Sequence, residues 1–368
     1  MSKNLKERNT NLDLLRIFSM FLIVFLHSID HSGVLEQAET CGNVTYYYVR
    51  LTYGLCQVCV NIYVMLSGYF LVESKFRLHK LVTLWMQAAF YAFALKLIFM
   101  LSGLDDFSLI SLAGCFFPIL TGRYWFLTIY VGMYLVSPFL NILIRAMTRQ
   151  QHGILNLCLF GLFSVWSSLH PAIAGMNSGG GWGLAWFVVL YLAAAWFRLY
   201  YEPGSRPVKW FAGYLLIPAV IAGLQLLNRQ LGIGLISSIL RNWFRYDSAP
   251  VYLMTVFLFV GFLNIRTTGK RASRLICTVA PLTLGVYLIH AHANVSPWLW
   301  DRLSLPEKMD GLVFPVIQIV SVLAIFAVCS FIDILRKHTI GRLEQCRWVR
   351  SICDRVTDGA LKLMKGWH

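Results

Sequence analysis

Long apolar runs recur along this chain almost from end to end, and the short polar segments between them carry most of its charge. An α-helix needs about 20 consecutive apolar residues to cross the hydrocarbon core of a bilayer. On that measure the pattern predicts membrane helices near residues 12–30, 51–72, 80–101, 123–144, 153–170, 183–200, 208–227, 249–265, 276–293 and 313–335. The expectation is an all-α polytopic membrane protein with about ten transmembrane helices. Two further apolar stretches, 107–122 and 231–240, are too interrupted for a span and read as re-entrant or interfacial segments. No internal repeat is evident, nor a matched pair of broken helices such as many transporters carry.

Composition points the same way. Apolar residues make up 58% of the 368-residue chain and charged ones 13%, with a mean hydropathy of +0.63. A soluble chain is about a quarter charged. The 12 Trp and 17 Tyr suit the two membrane–water interfaces. Residues 1–340 therefore read as one transmembrane domain and 341–368 as a basic cytoplasmic tail. The first apolar run lacks a small-residue cleavage site, so it is expected to stay as a helix. Of the nine Cys, Cys56, Cys158, Cys277 and Cys329 lie inside apolar runs. The pair in "CQVC" (Cys56, Cys59) reads as packing, because no second Cys or His pair follows at zinc-like spacing.

The net charge of +15 changes the picture only through its placement. No stripe of Lys and Arg interleaved with aromatics is present, which speaks against nucleic acid as a partner. Instead the charge alternates between successive junctions, as the positive-inside bias requires. With the N-terminus in the cytoplasm, the cytoplasmic segments hold Lys3, Lys6 and Arg8; Lys75, Arg77 and Lys80; and Arg145 and Arg149. They also hold Arg198, Arg206 and Lys209; Arg266, Lys270, Arg271 and Arg274; and the tail from Arg336. The opposite side carries few cations, and the run from Arg229 to Arg245 is the one departure. The expected setting is the cytoplasmic (inner) membrane, crossed many times, with both termini in the cytoplasm.

Ionisable residues inside spans are costly and tend to mark pathways or sites. The first span, "NLDLLRIFSMFLIVFLHSID" (11–30), contains Arg16 and His27. Eleven helical residues rise about 16 Å and come within about 20° of three full turns, so the two share a face. Alone, Arg16 reads equally as a residue snorkelling to lipid phosphates, and His27 as a core imidazole bonded to a carbonyl. Together they suit a substrate with anionic groups at the cytoplasmic end and a reactive end near His27. Asp13, one turn before Arg16, is placed to orient the guanidinium. Arg77, His79 and Lys80 are either ordinary inside charge or, beside Arg16, part of a cationic pocket for phosphates. His290, His292 and His31 raise a metal site as one reading, but no carboxylate stands at fitting spacing and no metal is expected. For His290 a structural or acceptor-side hydrogen bond and direct catalysis both stay open. Trp182 and Trp186 follow a glycine run suited to a flexible outer loop and read first as interfacial residues, with sugar stacking as the alternative.

Five stretches, in order, resemble the integral-membrane acyltransferase 3 family. "LDLLRIFSMFLIVFLHS" resembles its first span, in which Arg is followed after ten residues by His, here Arg16 and His27. "VMLSGYFL" matches its Ser-Gly (Ser67, Gly68), and "RLHK" (77–80) its Arg-x-x-Arg, with Lys80 in place of the second Arg. That replacement keeps the charge and loses the planar fork. "RYWFLTIYVGMYLVSPFLN" (123–141) and "LTLGVYLIH" (282–290) resemble its Trp-Phe-Leu with Ser-Pro and its Tyr-Leu-x-His ending.

The resemblance implies an O-acetyltransferase, or a close acyl variant, with residues 1–340 as its acyltransferase domain. It would move the acyl group from cytoplasmic acetyl-CoA or another acyl-CoA to a hydroxyl of an envelope or exported glycan, or of its lipid-linked precursor. Arg16, Arg77 and Lys80 would hold the coenzyme A head while the arm threads between helices towards His27. His27 would act as general base, a role worth 10²–10⁴ in rate, with an acyl-His intermediate as the variant. Tyr124, Trp125 and Tyr287 are the substrate-side candidates for oxyanion donors, and His290 lies on the acceptor side. Two other classes compete. A transporter or flippase for a glycan or amphipathic metabolite predicts paired broken helices and more charge at mid-span, where Lys96 alone joins Arg16 among Lys and Arg. A sensor of coenzyme A derivatives predicts survival after loss of His27.

Overall fold

A backbone in hydrocarbon has no water to bond with, so each long apolar run closes its hydrogen bonds within itself as helix. The computed structural model describes residues 9–169, 179–265, 269–339, 341, 350–357 and 359. Lys3, Lys6, Arg8, Arg266, the last residue of the 153–170 span and most of the 341–368 tail lie outside the described residues. In chain order the helices are α1 (Thr10–Asp30), α2 (Val34–Gln37), α3 (Asn43–Cys56), α4 (Cys59–Leu71), α5 (Leu78–Leu101) and α6 (Leu109–Gly114). Next come α7 (Trp125–Ala146), α8 (Arg149–Phe160), a π turn (Gly161–Val165) and α9 (Trp166–Leu169). From Gly179 onwards follow a 3₁₀ turn (Gly179–Gly181), α10 (Leu184–Tyr200), α11 (Val208–Leu231), α12 (Gly234–Asn242) and α13 (Ala249–Leu263). The chain then forms α14 (Lys270–Val279), α15 (Thr283–His290), α16 (Val295–Leu303) and α17 (Phe314–Thr339).

Among the described residues, eight segments are long and apolar enough to cross a membrane: α1, α3 with α4, α5, α7, α8 through α9, α11, α14 through α15, and α17. The other two predicted spans, 183–200 and 249–265, correspond to α10 and α13, apolar helices of 17 and 15 residues. Several boundaries differ from the sequence expectation for visible reasons. The 51–72 run starts earlier, at Asn43, and breaks between Cys56 and Cys59, where Gln57 is buried and its N–H turns back to the Gly54 carbonyl. The 276–293 run starts at Lys270 and is broken by a 3₁₀ turn at Ala280–Leu282, where Pro281 has no N–H to give the ladder. The interrupted stretches contain the short helices α6 and α12.

α1 is the central element and packs against α3, α4, α13, α14, α15 and α17. Two of its buried hydroxyls are bonded within the bundle. Ser19 Oγ donates to the Cys59 carbonyl at 2.7 Å, and Gln318 Nε2 donates to Ser28 Oγ at 3.0 Å. α4 and α10 pack backbone to backbone at Gly68, where a Cβ would lie 2.9 Å from the Tyr191 Cα. Small residues at such crossings let helices associate without a hydrophobic driving force. Beside that crossing, Trp186 Nε1 donates to Asn61 Oδ1 at 3.0 Å, so Trp186 is fully buried and the interfacial reading does not hold for it. The glycine run that precedes it in the chain is closely packed at Gly181. Gly179, Gly180 and Gly181 all have positive φ, and a Cβ on Gly181 would sit 2.5 Å from the Tyr246 Cβ.

Arg336 is not part of an exposed tail. It lies in the last turn of α17, 4% exposed, with Nε 2.8 Å from Asp333 Oδ1. Asp333 also accepts from Tyr91 Oη at 2.8 Å and Gln87 Nε2 at 3.2 Å, which ties α17 to α5. Lys96 is matched by an ion pair with Asp105, whose carboxyl the ammonium holds below the usual carboxylate range. The helical stretch 350–357 docks on the start of α5: Leu78 N–H donates to Thr357 Oγ1 at 3.2 Å, and His79 Nδ1 lies 3.4 Å from Asp354 Oδ1.

Candidate active site along the first helix

Arg16, Met20, Ile23, His27 and Asp30 follow one another along α1 at intervals of four and three, the spacing of a single helix face. That face lines a cavity of about 480 Å³, which runs from Arg16 past His27 to Asp30 and His31. Its volume is in the range of small-ligand sites. The facing walls come from α4 (Cys59, Tyr63, Ser67), α7 (Trp125, Phe126, Tyr130) and α15 (Thr283, Tyr287). The breaks at Gln57 and Pro281 put helix ends of α4 and α15 beside this cavity.

At one end, Arg16 Nη1 sits 3.3 Å from Asp13 Oδ1, its side chain about a third exposed at 32%. Tyr63 Oη donates to the Arg16 carbonyl at 3.2 Å, which pins α1 to α4 there. Arg77 and Lys80 do not line the cavity. They cap and open α5, whose Leu84 does line it, one turn beyond Lys80. The Arg77 backbone is clasped by Tyr134 Oη, at 3.1 Å from its N–H and 3.2 Å from its carbonyl. Tyr134 stands one turn from the cavity residue Tyr130 on α7.

At the other end, His27 Nδ1 lies 3.0 Å from His290 Nε2, and His290 Nδ1 lies 2.6 Å from the Val286 carbonyl oxygen. A carbonyl only accepts, so the network assigns the His290 proton to Nδ1 and leaves its Nε2 as acceptor. His27 must then donate through Nδ1–H, and its Nε2 keeps a lone pair. His31 stacks on His27 with ring centroids 4.4 Å apart and an interplanar angle of 15°. Trp125 packs against Trp182 with ring centroids 4.3 Å apart and planes tilted by 36°, and both line the cavity.

The other substrate-side candidates separate. Tyr287 lines the cavity. Tyr124 is 1% exposed and is not on the wall; its hydroxyl donates to the Leu288 carbonyl at 2.9 Å. His290 is fully buried behind His27. Asp30, Tyr63 and Arg123 line the cavity too and were not among the sequence candidates. Asp30 was legible, three residues after His27 on a helix; Tyr63 and Arg123 arrive only through packing. No group of three His, Cys, Asp or Glu stands ready for a metal among the described residues. His292 turns away, with Nε2 3.3 Å from the Ala92 carbonyl oxygen.

The family model for the acyltransferase domain of the acyltransferase 3 type matches residues 9–334. The chain belongs to the acyltransferase 3 family. It is a multi-pass membrane acyltransferase that acts on a hydroxyl-bearing acceptor. Neither the curated proteins nor the solved structures give a match to it.

Proposed function

We propose that this acyltransferase takes an acyl group, most simply acetyl, from cytoplasmic acyl-coenzyme A and places it on a hydroxyl of an exported or lipid-linked glycan. One observation carries the reading: a single cavity follows one face of α1 from Arg16 to His27 and on to His31. A donor with an anionic head and a thin arm ending in a thioester matches that form. Arg16 takes a phosphate at the mouth, and Arg77 and Lys80 add charge beside it. The orientation that goes with this has the Arg16 end and both termini in the cytoplasm of an inner membrane, with ten crossings once α10 and α13 are counted. Residues 1–340 form the transferase unit, and 341–368 remain a cytoplasmic tail.

At His27 the lone pair on Nε2 takes the proton of the acceptor hydroxyl as its oxygen bonds to the thioester carbonyl carbon. The tetrahedral intermediate collapses, the C–S bond breaks, and the imidazolium returns the proton to the coenzyme A thiolate. The products are an O-acyl ester and the free thiol. His290 holds the His27 tautomer without touching substrate. Tyr287, on the cavity wall, is the oxyanion donor of choice, because the Tyr124 hydroxyl is engaged with Leu288. Trp125 and Trp182 offer a paired aromatic face to the sugar.

The test is transfer of radiolabel from acetyl-coenzyme A to membrane glycan, comparing the wild type with His27→Ala at matched protein level. Label in the wild type and a loss of about 10²–10⁴ in rate in the variant is the expected result. Equal labelling in both removes His27 from the chemistry. Glycan movement across the membrane with no labelling at all makes the protein a transporter.

A further inference from the structure

A side pocket of about 160 Å³ adjoins the His31 end of the cavity and shares Leu26, Asp30, Trp182 and Tyr246 with it. Its own walls are Tyr53, Gln57, Gly180, Arg241, Phe244 and Arg245. Aromatic faces set beside an amide, a carboxylate and guanidinium groups are the chemistry that receives a sugar: rings take the C–H face, and the polar groups take hydroxyls. The charges are unequally engaged. Arg245 Nη2 lies 3.0 Å from Asp247 Oδ2, and its Nη1 donates to Asn242 Oδ1 at 2.9 Å. Arg241 is exposed and makes no ion pair and no side-chain hydrogen bond among the described residues. Asp30 contributes the one carboxylate on the wall that the two pockets share.

This accounts for part of a feature that the charge pattern leaves over. The excess of cations between Arg229 and Arg245 breaks the alternation of the rest of the chain. Arg229 has structural work, donating to the Glu39 and Cys41 carbonyls at 2.8 Å. Arg241 has no such work, and it faces a pocket one step from His27. We propose that the side pocket is a second acceptor subsite, which seats the sugar next to the acylated one and reads an acidic substituent on it, carboxylate or phosphate, through Arg241. The planar guanidinium fork suits either group. This rests on the acyl-transfer reading for the meaning of "acceptor", but the binding it predicts is measurable alone.

The experiment uses the full chain in nanodiscs of neutral lipid at low salt. Binding of three soluble probes is measured: cellobiose, cellobiouronic acid and a cellobiose phosphorylated on its terminal ring. The proteins are wild type, Arg241→Gln and Arg241→Lys, each checked for intact folding by its thermal transition. The wild type should bind one or both acidic probes at least about ten-fold more tightly than cellobiose, since a hydrogen bond to a charged group is worth that much. Which of the two gains tells carboxylate from phosphate. Arg241→Gln should erase the difference and Arg241→Lys should keep part of it. Equal binding of all three probes, an acidic preference that survives Arg241→Gln, or no binding of any probe overturns the subsite. Coenzyme A binding is measured on the same samples. Its absence, with the acidic preference intact, would count against the acyl-transfer reading and leave the pocket's specificity standing.

Discussion

His290 gives its one proton to the Val286 carbonyl at 2.6 Å, and so presents a bare Nε2 to His27 at 3.0 Å. If His27 is the base, as proposed, His290 fixes which of its nitrogens stays unprotonated, the task a carboxylate performs in other catalytic pairs. A neutral partner does this without placing a second charge in the bundle, where charge is expensive. A consequence follows for substitution. His290→Phe leaves the His27 ring free to turn and to exchange tautomers, so kcat should fall while KM for acetyl-coenzyme A, set at the Arg16 end, stays unchanged. His290→Gln keeps an acceptor oxygen and should recover part of the loss. Steady-state kinetics on the two variants checks this. A matched fall in both, or a change in KM alone, would leave His290 with only a packing role.

Two of the elements that build the site are helices that follow a break. α3 gives way to α4 at Gln57, and α14 to α15 at Pro281, and both successor helices line the cavity across from α1. Interrupted helices are tolerated in membranes where the freed backbone lies inside protein or against a cavity. α4 is held in place by its crossing with α10 at Gly68. A side chain there meets the Tyr191 backbone, which cannot swing aside as a side chain would. Gly68→Leu should therefore destabilise the fold by about 1–3 kcal/mol. The expected readout is a lowered thermal unfolding temperature of the purified protein, with activity lost in step. An unchanged transition would mean that the crossing has slack.

At the scale of the whole molecule, the cavity has a cationic end and an aromatic end. Arg16 marks the first; Trp125, Trp182 and Tyr287 mark the second. On the proposed reading, a donor and an acceptor entering from opposite ends would meet at His27, and the charged head of the donor would not have to cross the bilayer. Sidedness is the expected result. Acetyl-coenzyme A should label glycan when supplied to inside-out vesicles and not when supplied to sealed right-side-out ones. Equal labelling from both faces would remove the vectorial arrangement. The described part of the tail docks on the start of α5 through Thr357 and Asp354, next to Arg77 and Lys80 in the chain.

The sequence by itself determined the all-α membrane character, most of the spans, and the shared face of Arg16 and His27. These follow from one-dimensional regularities: runs of apolar residues, and the 3.6-residue period that puts positions eleven apart on one side. Membership of the family was legible from short motifs for the same reason, since each lies within a single element. Tertiary structure alone decided the rest. It paired His27 with His290 across 263 positions, turned the Tyr124 hydroxyl to Leu288, buried Trp186 and Arg336, and opened a side pocket onto Arg241. Those are contacts between elements distant in the chain. Which atom meets which there depends on how helices cross and where they break, and no period in the sequence encodes it.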